Sequence, residues 1–255
     1  AGSFGNFGAD EDNIAGNNLD EIFSGEIDNA QTDGVIGKVS LQWTPNQDQL
    51  YYVTWSEGYR PGFLNRPGGA VSQDGTYTVP FSMDTDDVTN YEIGWKLDLL
   101  DNTLRFNGDV FFVEIENLQV GIFDPSITNL FFADNAADAE VRGFEGDVTW
   151  VPPSVTGLTL SGGFSFLDTE VTDSFVTNFV QEGDPLAVAP EFQATINARY
   201  EWELTSGKLA HAMLNGSFSD EVNTDIVADN SITLDSWSLW NATAGISDDQ
   251  WTAEL

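Results

Sequence analysis

Residues 88–99 read Val88-Thr89-Asn90-Tyr91-Glu92-Ile93-Gly94-Trp95-Lys96-Leu97-Asp98-Leu99. Thr89, Tyr91, Ile93, Trp95, Leu97 and Leu99 share one phase of a two-residue period. Val88, Asn90, Glu92, Gly94, Lys96 and Asp98 share the other. Side chains of a strand point alternately to opposite faces, so this segment is a ribbon with one apolar and one polar flank. Residues 191–203 repeat the pattern, with Phe192, Ala194, Ile196, Ala198, Tyr200 and Trp202 opposite Glu191, Gln193, Thr195, Asn197, Arg199, Glu201 and Glu203. Both segments exceed the roughly 5–6 residues usual for strands of soluble proteins.

Working outward, further two-faced segments fall at about 34–44, 49–59, 103–117, 139–151, 157–170, 208–219 and 234–246, with a tenth beginning at 250. Their connections alternate in length. Pro45–Asp48, Leu100–Asn102, Pro152–Thr156, Thr205–Gly207 and Ser247–Asp249 are short and rich in turn formers. The connections at about 60–86, 118–135, 171–189 and 220–233 are long. Short and long in alternation is the signature of an up-and-down β-barrel with tight turns on one rim and displayed loops on the other. Trp43, Tyr51, Trp55, Trp95, Trp150, Tyr200, Trp202, Trp240 and Trp251 lie near strand ends on the apolar phase, where membrane barrels carry aromatic girdles. Lys96, Arg105, Asp109, Glu145, Asp147, Arg199 and Glu201 stand mid-strand on the polar phase, as a wet lumen allows. The expected fold is all-β, an antiparallel up-and-down transmembrane barrel portion. The competing reading is a soluble acidic all-β binding or structural domain from a halophilic source, which also alternates.

Composition narrows the function. The 255 residues hold 8 Lys plus Arg against 42 Asp plus Glu, a net charge of −34. Nucleic-acid binding needs cations along the phosphates and is excluded. A helix lying on anionic lipid wants Lys and Arg and is disfavoured. With 41% hydrophobic and 13% aromatic residues the chain is too apolar for a disordered acidic tail. Cys is absent and His211 is the sole His, so thiolate sites, disulfides and His-rich metal centres are ruled out. No Gly-x-Ser-x-Gly elbow accompanies His211, which lies on the 208–219 strand, and no enzymatic activity is expected. No apolar run approaches the roughly 18 residues of a spanning helix.

Several short stretches resemble the barrel of TonB-dependent outer-membrane receptors. Gln49 to Asn65 is similar to that family's Ser-x-Gly-Tyr/Phe-Arg-x-Gly-x-x-Asn strand exit, matched at Ser56, Gly58, Tyr59, Arg60, Gly62 and Asn65. Tyr91, Glu92, Gly94 and Lys96 resemble its Tyr-Glu-x-Gly-x-Lys strand. Leu104–Phe112 resembles the strand that follows. Asn135-Ala136 with Gly143 and Glu145 resembles its Asn-Ala … Gly-x-Glu strand, and Gly157–Phe164 also fits. The order and loop spacing agree with the family over about residues 35–255.

The resemblance implies a 22-stranded barrel around an N-terminal plug, of which this chain supplies about 9–10 strands. The opening Ala1-Gly2-Ser3-Phe4 carries no signal-peptide pattern, and the chain stops within an apparent strand. It is therefore expected to be a piece of a longer protein, with 1–33 a loop segment and 34–255 a partial barrel domain. The implied function is energised uptake of a scarce nutrient (ferric siderophore, cobalamin or oligosaccharide) across the outer membrane of a Gram-negative bacterium. Implied partners are outer-membrane lipid and lipopolysaccharide, TonB through an N-terminal part lying elsewhere, and a small nutrient ligand.

Two readings of the 58–65 motif stay open. Gly58 and Gly62 allow a bend while Arg60 pairs with a nearby carboxylate or a lipopolysaccharide phosphate; alternatively, Arg60, Phe63 and Asn65 contact ligand at the outer mouth. Glu92, Lys96, Glu145 and Arg199 are either solvated wall charges or a ladder of lumen ion pairs. Asp10–Asp12, Asp84-Thr85-Asp86-Asp87 and Asp248-Asp249 offer oxygen ligands for Ca²⁺, though without EF-hand spacing. Asp84, Asp86 and Asp87 form the candidate loop-bound site, and no other cofactor is expected. Phe63, Tyr77, Phe81, Phe123, Phe131, Phe132, Phe175 and Phe179 are expected in displayed loops.

Overall fold

The computed structural model describes residues 32–66 and 68–255. The acid run Asp10–Asp12 lies outside them. Strands are β1 (Lys38–Asn46), β2 (Gln49–Arg60), β3 (Asp86–Leu99), β4 (Leu104–Ile122), β5 (Phe132–Trp150), β6 (Leu158–Ser174), β7 (Phe192–Glu203), β8 (Leu209–Ser219), β9 (Val222–Asn223), β10 (Thr233–Leu234), β11 (Trp237–Ser247) and β12 (Thr252–Glu254). Ten of them form one antiparallel sheet in the order β1-β2-β3-β4-β5-β6-β7-β8-β11-β12, a meander in which each strand pairs with its chain neighbour. Among the described residues β9 and β10 pair only with each other. That small hairpin sits within the connection between β8 and β11. Among the described residues no helix is long and apolar enough to cross a membrane.

The pairing register separates the two flanks. Trp95 faces Gly108, Phe144 faces Phe166, Phe166 faces Phe192 and Ala194 faces Phe218. On the opposite side Lys96 faces Asn107, Glu145 faces Ser165, and Asn197 faces Asn215. Among the described residues no second layer seals the apolar flank. Leu41 is 73% exposed, Ile93 59%, Ile196 53% and Trp240 60%. Tyr91 is exposed too. Trp95 and Phe192 are partly covered, but by rings of their own flank: Trp95 meets Phe106 and Phe144, and Phe192 meets Phe166 and Phe218. A soluble sheet would bury this surface, worth about 25 cal/mol per Å² removed from water.

Three strands run longer than expected. β4 reaches Ile122, β5 begins at Phe132 and β6 continues to Ser174. The connection between β4 and β5 is therefore only 123–131, not 118–135. On the outward flank of β4 the apolar residues end at Phe112, and Glu114 and Glu116 follow. Residues 104–112 match the roughly 9–11 residues that a tilted strand needs to cross the hydrocarbon, so the acidic extensions stand beyond it.

By contact density the described chain divides into two compact units. A loop unit gathers Tyr59–Asp86 and Gln119–Asn135 with residues 32–35, and a strand unit gathers Ile36–Gly58, Asp87–Leu118 and Ala136–Leu255. Buried apolar side chains concentrate near the long connections. Val79, Met83, Val120, Ile122 and Phe132 form the interior of the loop unit. Val171 and Val180 are sealed in the strand unit, where the 175–191 connection folds back on β6 through Val171 N to Asp184 O (2.9 Å) and Gly183 N to Val171 O (2.9 Å).

Candidate functional site

Within the loop unit the end of β2 meets the start of β3. Asp86 has no solvent exposure, and its carboxylate accepts hydrogen bonds from Arg60 N (3.0 Å), Arg60 Nε (2.6 Å) and Arg60 Nη2. A buried carboxylate is costly unless it is paired and hydrogen-bonded, and this arrangement supplies both. Gln119, at the end of β4, closes the node. Its side-chain amide donates to Asp84 O (2.9 Å) and Pro61 O (3.2 Å), and its backbone carbonyl accepts from Arg60 Nη2 (3.4 Å). Three strand ends are thereby tied through side chains.

Two asparagines extend this stitching by standing in for peptide groups. Asn65 Nδ2 donates to Pro80 O (2.9 Å) and Ala133 O (2.7 Å), while its Oδ1 accepts from Ala133 N (2.9 Å). Asn135 Oδ1 accepts from Asp84 N (2.8 Å) and its Nδ2 donates to Asp84 O (3.1 Å). Each amide offers both a donor and an acceptor, so it can pair with a backbone that no strand reaches. Gly62 belongs to the same construction: a Cβ there would overlap the carbonyl oxygen of Met83. No comparable crowding surrounds Gly58, whose added Cβ would meet nothing within 4 Å.

Tyr77 Oη donates to Asp134 Oδ2 (2.7 Å) and its ring lies 5.9 Å from that of Phe132. Burial pushes the Tyr77 phenol well above its ordinary value, and the carboxylate beside it adds to the rise. Burial also raises the Asp134 carboxyl, opposed by the hydrogen bond from Tyr77. Asp74 is the contrary case. It accepts from Ser72 Oγ (2.7 Å), Thr76 N (3.0 Å) and Thr76 Oγ1 (2.8 Å) in a solvent-exposed turn. These bonds, Ser72's foremost, hold it down at about 2.

The motif residues therefore divide. The bonds of Arg60 and Asn65 go to neighbouring segments of the loop unit, whereas Phe63 is half exposed. Tyr59 is also partly exposed. Phe123 and Phe131 pair with centroids 4.9 Å apart, and Phe131 remains 74% exposed. Phe132, expected on display, is instead a buried anchor at 3% exposure. Asp84, Asp86 and Asp87 do not converge: Asp86 turns to Arg60, and Asp87 is exposed opposite Glu116. Among the described residues no group of three or more His, Cys, Asp or Glu is placed to hold a metal ion. Asp248 accepts from Gln250 N (2.9 Å) and Trp251 N (3.2 Å) and so shapes its turn.

In the strand unit the polar flank forms an open concavity of about 660 Å³ lined in part by Tyr52, Lys96, Asn107, Asp109, Glu145 and Asp147. Tyr52 Oη donates to Glu92 Oε1 (2.5 Å), and its ring lies over Gly94. Phe111 lies across Gly143, where any Cβ would overlap the ring. Arg199 pairs with Glu201 (2.7 Å) on its own strand, so among the described residues Glu92, Lys96, Glu145 and Arg199 do not join into a ladder. His211 is buried on β8 opposite Glu201 and Gly245, with Nε2 at 2.9 Å from Glu254 Oε1 but without a hydrogen bond of ordinary geometry.

This two-flanked meander matches, over residues 3–255, the family described as TonB dependent receptor-like, beta-barrel. The chain belongs to that family. Among its relatives, the probable TonB-dependent siderophore receptor PiuA of Acinetobacter baumannii is 24% identical over 208 residues, 76% of this chain and 26% of that protein. The metal-pseudopaline receptor CntO of Pseudomonas aeruginosa is 28% identical over 159 residues, 62% of this chain and 21% of that protein. The chain thus spans about a quarter of the length of the curated relatives it matches. In structure it is similar to the ferric yersiniabactin uptake receptor FyuA from Yersinia pestis, with a TM-score of 0.62 at 16% identity, covering 82% of this chain and 29% of that one. Such a likeness concerns the fold. The Arg60–Asp86 pairing, the bridging role of Gln119 and the Tyr77–Asp134 bond carry no local signature, because their partners lie 26 to 59 residues apart.

Proposed function

We propose that this chain is part of the wall and displayed loops of an active transporter in the outer membrane of a Gram-negative bacterium. The transporter takes up a scarce nutrient with energy relayed by TonB, through segments of the protein outside this chain. The observation that carries the reading is the unsealed apolar flank: Leu41, Ile93, Ile196 and Trp240 stand open on one side of the sheet while Lys96, Asn107 and Glu145 stand on the other. A halophilic soluble domain has no physical use for that band. Lipid acyl chains do, and the acidic residues beyond Phe112 mark where they end.

Of the nutrient classes (ferric siderophore, cobalamin, oligosaccharide), a metal chelate is favoured, because the related proteins carry siderophore and metal-pseudopaline in their names. Phe63 and Phe131 are assigned to ligand contact, and Arg60 and Asn65 to holding the loops that present them. The test is energised uptake by cells carrying or lacking the full-length receptor, under metal limitation. Import of a chelate that needs both the receptor and TonB supports the reading. Unchanged import of chelates, cobalamin and oligosaccharides in the receptor-deficient strain would overturn it. A chain that stays monodisperse without amphiphile would favour the soluble domain instead.

A further inference from the structure

We infer that the ligand captured by these loops is a neutral or positively charged metal chelate rather than a polyanionic one. The inference rests on the uptake reading and adds the charge class of the cargo to it.

Two independent observations carry it. First, the loop unit offers an anionic ligand little free positive charge. Arg60 is paired with the buried Asp86. Among the described residues of the long connections, Arg66 is the one cation without a carboxylate partner. Second, the displayed surface joins exposed apolar side chains to carboxylates in each unit taken by itself. In the loop unit, Phe63 and Phe131 are exposed, and Asp74, Asp84 and Asp124 stand in the same connections against Arg66. In the strand unit, Val188 and Ile232 are exposed, and Val188 N donates to Asn223 O (2.8 Å), joining the 175–191 connection to β9. That connection carries Glu182, Asp184 and Glu191. The 220–236 connection carries Asp220, Glu221, Asp225, Asp229 and Asp235. Neither contains a Lys or an Arg.

The chemistry selects accordingly. An apolar patch recognises the organic periphery of a chelate whatever its charge, so charge decides between chelates of similar size. A field of one sign raises the encounter rate of opposite charges by about 10- to 10³-fold at low ionic strength and depresses that of like charges. A polyanion would also need desolvated donors at contact, and the paired Arg60 could supply them only by releasing its carboxylate.

The experiment uses the full-length receptor in detergent and two ferric complexes. One is a tris-catecholate, which is trianionic; the other is a linear tris-hydroxamate bearing a free ammonium, which is monocationic. Binding is measured at low and high salt for the wild type and for the combined variant Glu221→Gln, Asp229→Asn, Asp235→Asn, whose side chains are exposed. The expected result is at least about a tenfold preference for the monocation at low salt. That preference should shrink toward parity near 1 M salt, where the Debye length is about 3 Å. It should also fall severalfold in the variant. Equal or tighter binding of the trianion overturns the inference, as does a preference indifferent to both salt and variant. Energised import of the trianion alone would refute the charge class while leaving the uptake function standing. Failure of both complexes to bind or be imported would remove the inference together with the ferric-chelate reading beneath it.

Discussion

Substituting Arg60 by Gln leaves Asp86 buried with its main cation gone. Breaking a fully buried ion pair from one side costs about 3–5 kcal/mol. Two features reduce that figure. The Arg60 side chain is 56% exposed, so water already screens part of its attraction. The backbone N–H groups of Arg60, at 3.0 Å, and Gln119, at 3.5 Å, also remain to solvate the carboxylate. A cost of about 2 kcal/mol follows, or about a thirtyfold rise in the population of opened loop unit. Native-state proteolysis of the full-length receptor reads this population when reclosing is fast relative to cleavage. Cleavage within residues 61–85 should accelerate by about that factor in Arg60→Gln. The double variant Arg60→Met, Asp86→Leu should recover most of the protection, because it removes the stranded charge as well as its partner. Cleavage of Arg60→Gln within about twofold of wild type would refute the reasoning; it would mean that the backbone donors alone satisfy Asp86.

Three further outcomes are expected. Because Asp74 is held at about 2, its ionised form contributes to the Ser72–Tyr77 turn above the ordinary carboxylate range near 4; amide protection factors there, which correct for the intrinsic pH dependence of exchange, should drop as pH falls through 4 toward 2, and Asp74→Asn should abolish that dependence. Tyr77→Phe removes a donor from a half-buried carboxylate, so infrared titration should find Asp134 protonating at higher pH, with a local loss of about 1–2 kcal/mol. On the apolar flank Ile93→Arg should cost about 2–4 kcal/mol if the side chain faces the bilayer midplane, lowering the fraction of receptor assembled in the membrane, whereas Thr195→Arg on the polar flank should assemble normally.

The sheet was legible in sequence because its signal is local. Period-two alternation around Tyr91, Ile93 and Trp95, or around Phe192 and Ile196, survives wherever one flank meets an apolar medium, and the boundaries of β2, β7 and β8 fell within two residues of expectation. Legibility ended where the medium changed. Beyond Phe112 the outward positions of β4 become Glu114 and Glu116, while β5 carries Asp138 and Glu140 before Phe144. Backbone pairing continues through these residues, but neither flank is consistently apolar, so the alternation disappears and the segment imitates a loop. The loop unit was the least legible part. Asp86 in an acidic run looks like a cation ligand until Arg60 is seen beside it, and nothing local distinguishes an asparagine that bridges Pro80 and Ala133 from one in solvent.

The stitching of the loop unit bears on how capture works. A connection the length of 61–85 with no internal anchors would have to order on the ligand, at about 1–2 kcal/mol of backbone entropy per residue fixed. Here Asn65, Gln119 and Asn135 supply backbone-like hydrogen bonds, and Val79, Met83, Ile122 and Phe132 supply an interior. Phe63 and Phe131 are thus presented from a body that is already folded, so under the proposed function a ligand would need to order little beyond their rings. Rigid presentation also sharpens discrimination by charge, because a preformed surface cannot turn a distant cation inward to accommodate an anion. A loop unit that loosened, as Arg60→Gln should make it, would therefore lose selectivity between chelates together with affinity, and the two losses should track the same opening equilibrium.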